Sequence, residues 1–184
     1  MTTVSEIIFS QISTLSKKEL EKLVLKAAAK DLAFHDYLLV NYFDKEFNEV
    51  DLYEEAKNDI NYLLFKRYKG FSPELKMANF LSECNKRLTL FSKSCKNKKY
   101  EADLVVYVLD SVLGSDSDAH LETCFTAFDY RVYLLLKRLI TLVQSKLHED
   151  YKIEYVPYIN SLLTRIHSTS NHLDYVYALP PSIK

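Results

Sequence analysis

Glycine is nearly absent from this sequence: Gly70 and Gly114 are the only two among its 184 residues. An average protein contains about 7% glycine. Strand-rich folds need glycine in tight turns and bulges, so its scarcity favours helices joined by short polar connections. Phosphate-binding loops of the G-x-G-x-x-G and G-x-x-x-x-G-K types cannot be built from two isolated glycines. Nucleotide binding through such loops is therefore excluded.

Cysteines and long apolar runs are also scarce. The three cysteines, Cys84, Cys95 and Cys124, include no C-x-x-C pair, which predicts reduced thiols rather than a disulfide framework. Cys95 lies among lysines, and neighbouring positive charge can lower the pKa of a thiol. No stretch approaches the roughly 18 apolar residues of a membrane span, and the N-terminus lacks the basic run of a signal peptide. We therefore expect a cytoplasmic protein with no membrane partner.

Apolar residues recur at helical spacing along almost the whole chain. Hydrophobic residues make up 48% of the sequence and charged residues 27%, a balance typical of a globular domain. The spacing predicts eight helical segments, which begin near residues 4, 16, 31, 51, 72, 100, 118 and 151. We expect an all-α fold of seven or eight mostly antiparallel helices, in a bundle or a short helical-hairpin array. Residues 1–184 would form one domain, with 1–14 a loosely packed helix and 175–184 an extended tail.

Capping residues mark several of these helix ends. Ser16 and Glu19 have the spacing of a capping box at the start of the second segment. Gly70 is the expected left-handed cap of the fourth segment, over residues 51–68, and Ser72-Pro73 opens the fifth. The second segment has an apolar stripe that we expect in the core, formed by Leu20, Leu23, Val24 and Ala27.

The order of several segments resembles a known family. These are "LSKKELEKLVLKAAAKD" near the start, the helix "ADLVVYVLDSVLG", the acidic loop after it and the long aromatic helix that follows. Together they resemble a domain-of-unknown-function family of small all-α proteins from Bacteroidetes-type bacteria, over about residues 15–175. The family has no assigned activity, so the resemblance implies a fold and a bacterial lineage only.

The segment "SDSDAHLETC", residues 115–124, looks most like a chemical site. It does not match a calcium loop, because the positions for glycine and the bidentate glutamate hold Leu121 and Ala127. His120 and Cys124 have a spacing suited to zinc, but two ligands do not complete a site. The alternative is that Asp118 caps a helix and complements its dipole. E-x-x-H, H-E-x-x-H and G-x-S-x-G are absent, so we expect no catalytic motif, metal or cofactor.

Charge is divided into blocks although the net charge is −1. Residues 66–99 hold ten Lys and Arg against Glu74 and Glu83, whereas residues 101–130 hold seven Asp and Glu and no Lys or Arg. The basic block could contact the phosphates of a nucleic acid. Alternatively, neighbouring helices of opposite charge neutralise one another, which the net charge favours. We expect no nucleic-acid site at Lys86, Arg87, Lys93, Lys96, Lys98 and Lys99.

Fourteen tyrosines are the last notable feature. Five lie in the third and fourth segments, where they could line a groove that binds a partner peptide. They are Tyr37, Tyr42, Tyr53, Tyr62 and Tyr68. By elimination, we expect a non-enzymatic helical module that binds another protein or itself, with a homodimer as one outcome. The alternative is an enzyme or small-ligand protein with a pocket between helices, because helical scaffolds also host scattered active sites.

Overall fold

The computed structural model describes residues 5–43, 48–114 and 126–184 and confirms the all-α fold. These residues form nine α-helices and one π-helical turn, with no strand among them. We number the helices in chain order. They are α1 (Glu6–Ile12), α2 (Lys17–Ala28), α3 (Leu32–Leu38), the π-helical turn (Leu39–Phe43), α4 (Glu49–Phe65), α5 (Pro73–Ser94), α6 (Lys98–Leu113), α7 (Thr126–Ser145), α8 (Glu149–Thr169) and α9 (Leu173–Tyr177).

Helix α5 lies at the centre of the bundle. It packs against α3, α4, α6 and α7, and α7 also contacts α6, α8 and α9. Leu81, Cys84, Leu88 and Phe91 form a fully buried apolar stripe on α5. Apolar stripes on α6 and α7 are buried as well, including Val105 and Val108 on α6 and Phe128 and Leu135 on α7. Within the described residues, every helix is too short or too polar to serve as a membrane span.

A buried ion-pair network ties α5, α6 and α7 together. Glu101 on α6 accepts hydrogen bonds from Arg138 Nη2 at 2.7 Å and from Lys98 Nζ at 2.9 Å. Arg138 also donates to the Leu88 carbonyl and to Asn85 on α5. A buried ion pair stabilises a fold only when the other polar atoms of its two side chains also form hydrogen bonds. Here the arginine fork contacts two helices at once, so the network fixes how they sit against α7.

The helix ends follow the capping residues only in part. Ser16 and Glu19 form the expected capping box, and Ser72 caps α5 with Pro73 as its first residue. Helix α4 instead starts at an Asn48 cap, and it ends at Phe65, five residues before Gly70. Gly70, with a φ of +155°, lies within the connection between α4 and α5. The prediction that Gly70 caps the fourth segment is therefore wrong.

The C-terminal residues pack onto the bundle. After α9 the chain is not helical, but Leu179 and Ile183 are buried. The Asn160 side chain on α8 donates to the Ile183 carbonyl and accepts from the Ile183 amide, at 3.1 and 2.8 Å. This two-way bond holds the C-terminal end of the predicted tail as a short strap across α8.

Candidate functional site

Helix α2 does not enter the core, contrary to the sequence-based expectation. It buries none of its residues and packs against α3 alone among the main helix contacts. Leu23 is 50% exposed and Leu25 is 70% exposed, and Val24 and Ala27 are exposed as well. The expected core position of Leu20, Leu23, Val24 and Ala27 is therefore wrong, because the described chain buries no residue of α2. Leu20 and Val24 face an open groove together with Leu25 and Ala28, whereas Leu23 and Ala27 do not line it.

Helix α3 forms the other wall of this groove and is held firmly in place. Asp31 caps it by accepting from the Ala33 and Phe34 amides. Ala33 and Asp36 are buried, and Ser94 Oγ on α5 donates to the Ala33 carbonyl at 2.9 Å. One face of α3 is thus fixed to the bundle, while Leu38 and Leu39 are left at the side of α2.

The groove between α2 and α3, which we call the N-terminal groove, has a volume of about 570 Å³. Its lining is apolar apart from three side chains at the rim, namely Lys17, Glu21 and His35. Lys17 and Glu21 form a loose pair at 4.0 Å. The apolar lining residues are Leu20, Val24, Leu25, Ala28, Leu38 and Leu39. Such a groove suits the apolar face of a helix, which is one of the recurring modes of peptide recognition.

Helix α1 shows a second uncovered apolar surface close by in the sequence. Phe9 is 78% exposed, and Ile8 and Ile12 are also exposed. No principal helix contact involves α1 among the described residues. Contiguous exposed apolar side chains on a folded protein mark sites of association with another protein or a membrane.

The five tyrosines predicted to bind a partner lie in separate places. Tyr37 and Tyr42 contact each other, with ring centroids 5.8 Å apart. Tyr53 packs on Tyr100 of α6, and Tyr68 packs edge-on against Phe80 of α5. Tyr62 is exposed, nine residues after Tyr53 and so on the opposite side of α4. The structure does not bring the five into one groove, and their partner-binding role stays a prediction.

Four of the ten basic residues in the block 66–99 pair with a carboxylate within the fold. Arg87 is buried, and its Nε donates to Asp59 at 2.6 Å. Lys86 pairs with Glu83, Lys98 with Glu101, and Lys99 with Glu154 and Asp103. The Lys96 side chain donates to Asn41, and Lys93 is exposed. These pairs neutralise part of the block, and the expectation of no nucleic-acid site stays a prediction.

The segment predicted as a possible metal site, with His120 and Cys124, lies outside the described residues. Within residues 5–43, 48–114 and 126–184, no group of three His, Cys, Asp or Glu side chains could hold a metal ion. Cys84 and Cys95 are free and buried. Burial raises the pKa of each thiol to about 12. The lysines around Cys95 therefore do not activate it.

One polar cluster resembles a catalytic group in its residue types. Asp129 is buried on α7, and Ser170 Oγ donates to its Oδ2 at 2.5 Å. The backbone amide of His172 donates to Ser170 Oγ. None of the hydrogen bonds of the described residues joins the His172 ring to that hydroxyl. The void beside them is about 10 Å³, room for about one water molecule. The cluster thus anchors the 170–172 turn and has no space for a substrate.

Comparisons with protein-family models, with curated proteins and with solved structures find no match for this chain. The resemblance to a bacterial family of small helical proteins therefore stays a prediction, and function has to be inferred from the surfaces themselves.

Proposed function

We propose that this protein is a non-enzymatic helical module that binds an amphipathic helix in its N-terminal groove. The groove is the observation that supports this most directly. Its walls are aliphatic, and its three polar side chains lie at the rim, so it presents surface for packing and no set of converging polar groups for chemistry. The free, buried thiols of Cys84 and Cys95 support a cytoplasmic location for the module.

The chain itself contains a segment with matching chemistry. Helix α1 has the sequence EIIFSQI, with Glu6 as its only charged residue. Its exposed Ile8, Phe9 and Ile12 could fill the groove of a second copy, and Glu6 could then approach Lys17 at the rim. Reciprocal exchange of α1 between two copies would cover both uncovered surfaces at once, which gives a symmetric homodimer.

The exposed area is large enough for such a dimer. With about 150–250 Å² for a fully exposed large apolar side chain, Ile8, Phe9, Ile12, Val24 and Leu25 expose on the order of 600 Å² per copy. The half-buried Leu20, Leu38 and Leu39 add to this. Two copies would bury about 1,200 Å² or more, which reaches the lower end of specific interfaces.

Two leucines on α2 allow a matched test. Leu25 lines the groove, whereas Leu23, two residues away, does not. Both are exposed, so Leu25→Glu and Leu23→Glu should leave the fold intact. We expect the wild-type chain to dimerise with rising concentration in sedimentation velocity. Leu25→Glu should weaken the dimer at least tenfold, about 1.4 kcal/mol, and Leu23→Glu should behave as wild type.

Two results would contradict the proposal of self-association. One is a wild-type chain that sediments as a monomer up to roughly 100 µM, far above the micromolar range of standard complexes. The other is an equal loss of dimer in both variants, because that would place the contact on another face of α2.

A further inference from the structure

A second surface, at the end of α4 and in the connection to α5, combines exposed aromatic rings with positive charge. Phe65 is 85% exposed and Phe71 is 81% exposed, and Tyr62 one turn before Phe65 is exposed as well. Folded domains rarely leave several large aromatic side chains in water at one place. We call the residues from Tyr62 to Lys76 that face solvent here the aromatic–basic surface.

A cavity of about 430 Å³ opens within this surface. Lys66, Arg67 and Lys76 supply its charge, and no carboxylate is among the described residues that line it. Its remaining lining is apolar or aromatic, with Leu64, Tyr68, Met77 and Phe80. Glu83 interacts with Lys66 through its charge, but its carboxylate is already held by Lys86 Nζ at 2.6 Å. The positive charge at the cavity is therefore available to an anion.

The connection that carries these side chains is held in one shape. The Asn79 side chain donates to the Lys69 carbonyl at 2.8 Å, and Tyr68 Oη donates to the Leu63 carbonyl at 3.0 Å. At Gly70 a Cβ would come within 3.2 Å of Leu75 Cβ and 3.3 Å of the Lys76 amide nitrogen. The connection thus packs closely on the first turn of α5. Since the backbone of the connection is held before binding, only the side chains have to be ordered.

We propose that the aromatic–basic surface binds the surface of a membrane that contains anionic phospholipid. Phe65 and Phe71 enter the boundary between headgroups and acyl chains, and the cavity accepts a headgroup phosphate between Lys66, Arg67 and Lys76. Interfacial proteins combine apolar side chains and cations in this way. Each Lys or Arg near an anionic surface strengthens binding about fivefold. This proposal is independent of the N-terminal groove, and surface binding requires no membrane-spanning helix.

The side chains favour lipid over single-stranded nucleic acid, the other polymer that uses rings and cations. Single strands stack their bases on flat aromatic faces in a basic groove. Here the most exposed rings are phenylalanines, which offer no hydrogen bond, and the cavity formed by residues next to them in the sequence has Leu64 and Met77 in its lining. Flexible aliphatic side chains match hydrocarbon better than they match a planar base.

The test is vesicle co-sedimentation of the full chain. The vesicles are phosphatidylcholine alone or phosphatidylcholine with roughly 30% phosphatidylserine, a composition that gives a negative surface potential. One variant removes the rings (Phe65→Ser with Phe71→Ser) and a second removes the charge at the cavity (Lys66→Gln, Arg67→Gln and Lys76→Gln). The matched control removes the same charge from α2, through Lys18→Gln, Lys22→Gln and Lys26→Gln, all at exposed positions. Circular dichroism confirms that each variant is folded, and Phe65→Ser alone replaces the double variant if that does not fold.

We expect the wild type to sediment with the anionic vesicles and to stay in solution with phosphatidylcholine alone. The charge variant should lose about a hundredfold in partitioning, for three cations at about fivefold each. The ring variant should lose at least tenfold, and the α2 control should lose no more than fivefold. Absence of wild-type binding, an insensitive ring variant or an equal loss in the α2 control would each overturn the proposal. So would binding to a single-stranded 20-mer without binding to vesicles, because that result would assign the surface to nucleic acid.

Discussion

Asp129 is the residue at which burial and charge conflict most clearly. Burial raises the pKa of its carboxyl, and the hydrogen bond from Ser170 and the nearby His172 lower that pKa by less. Its Oδ1 has no hydrogen-bond partner among the described atoms. A buried carboxylate with one free oxygen costs stability when it is ionised. The folded protein thus binds a proton at this position more readily than the unfolded chain does.

This conflict predicts a pH dependence of the free energy of unfolding. An unfolded aspartate has a pKa of about 3.9. Because the folded pKa is higher, the wild type loses stability as the pH rises from below that value through the folded pKa. Asp129→Asn does not titrate, so its stability relative to wild type should increase over the same interval and then become constant. Urea unfolding at a series of pH values from 3.5 upward would measure this difference.

Ser170→Ala provides the control for that measurement. It removes the hydrogen bond that lowers the pKa of Asp129, so that pKa should rise. The free energy of unfolding of Ser170→Ala should therefore continue to fall up to a higher pH than that of the wild type. A stability difference between Asp129→Asn and wild type that stays flat with pH, or that falls as the pH rises, would contradict our assignment.

Capping residues were predictable from the sequence because their bonds are local. Ser16 contacts Glu19, and Ser72 contacts the Leu75 amide, both three residues away. Burial of Asp129 was not predictable, since it depends on a turn 41 residues further along the chain. The inert state of Cys95 was hidden for the same reason: the sequence shows neighbouring lysines, whereas burial decides the pKa.

At the scale of helices, the spacing of the apolar residues was predictable from the sequence, but the surface against which each apolar face packs was not. The stripes on α2 and α5 follow the same spacing, yet α5 lies at the centre of the bundle and α2 is uncovered. An apolar stripe predicts that one face of a helix is buried, either within its own chain or at an interface between two chains. One available signal was Leu25, which lies outside the predicted core stripe. Another was the run "FKRYKGF", residues 65–71, which alternates rings and cations.

The two glycines lie outside the helices in different backbone conformations, so the same substitution to alanine can be compared at both. Gly70 has a positive φ and little space for a Cβ, whereas Gly114 has a φ of −55° and, among the described atoms, its Cβ would meet only Asp110 O, at 3.5 Å. We expect Gly70→Ala to lower the free energy of unfolding by about 1–2 kcal/mol. Gly114→Ala should change it by at most about 1 kcal/mol, with a stabilising sign.

Urea unfolding of the two glycine variants would measure both values. Equal effects would show that the tight α4–α5 connection does not depend on Gly70. A large loss in Gly70→Ala alone would agree with the close packing of that connection on α5.

At the scale of the whole molecule, the helices differ in how they are used. Helices α5, α6, α7 and α8 supply most of the described core, and the Arg138–Glu101 pair fixes three of them together. Helices α1 and α2 contribute almost nothing to that core. Such a division leaves the N-terminal helices available for association while the rest of the bundle keeps the fold.

Cross-linking between two differently labelled chains tests the central claim, that α1 of one copy occupies the groove of another. In a Cys124→Ser background, one chain carries Phe9→Cys and the other Leu25→Cys, and the buried thiols of Cys84 and Cys95 do not compete. The chains are mixed, oxidised mildly and separated without reductant. We expect the Phe9→Cys chain to cross-link to Leu25→Cys much faster than to Leu23→Cys, which lies off the groove. Equal rates for the two pairs, or no covalent dimer with either, would contradict the claim.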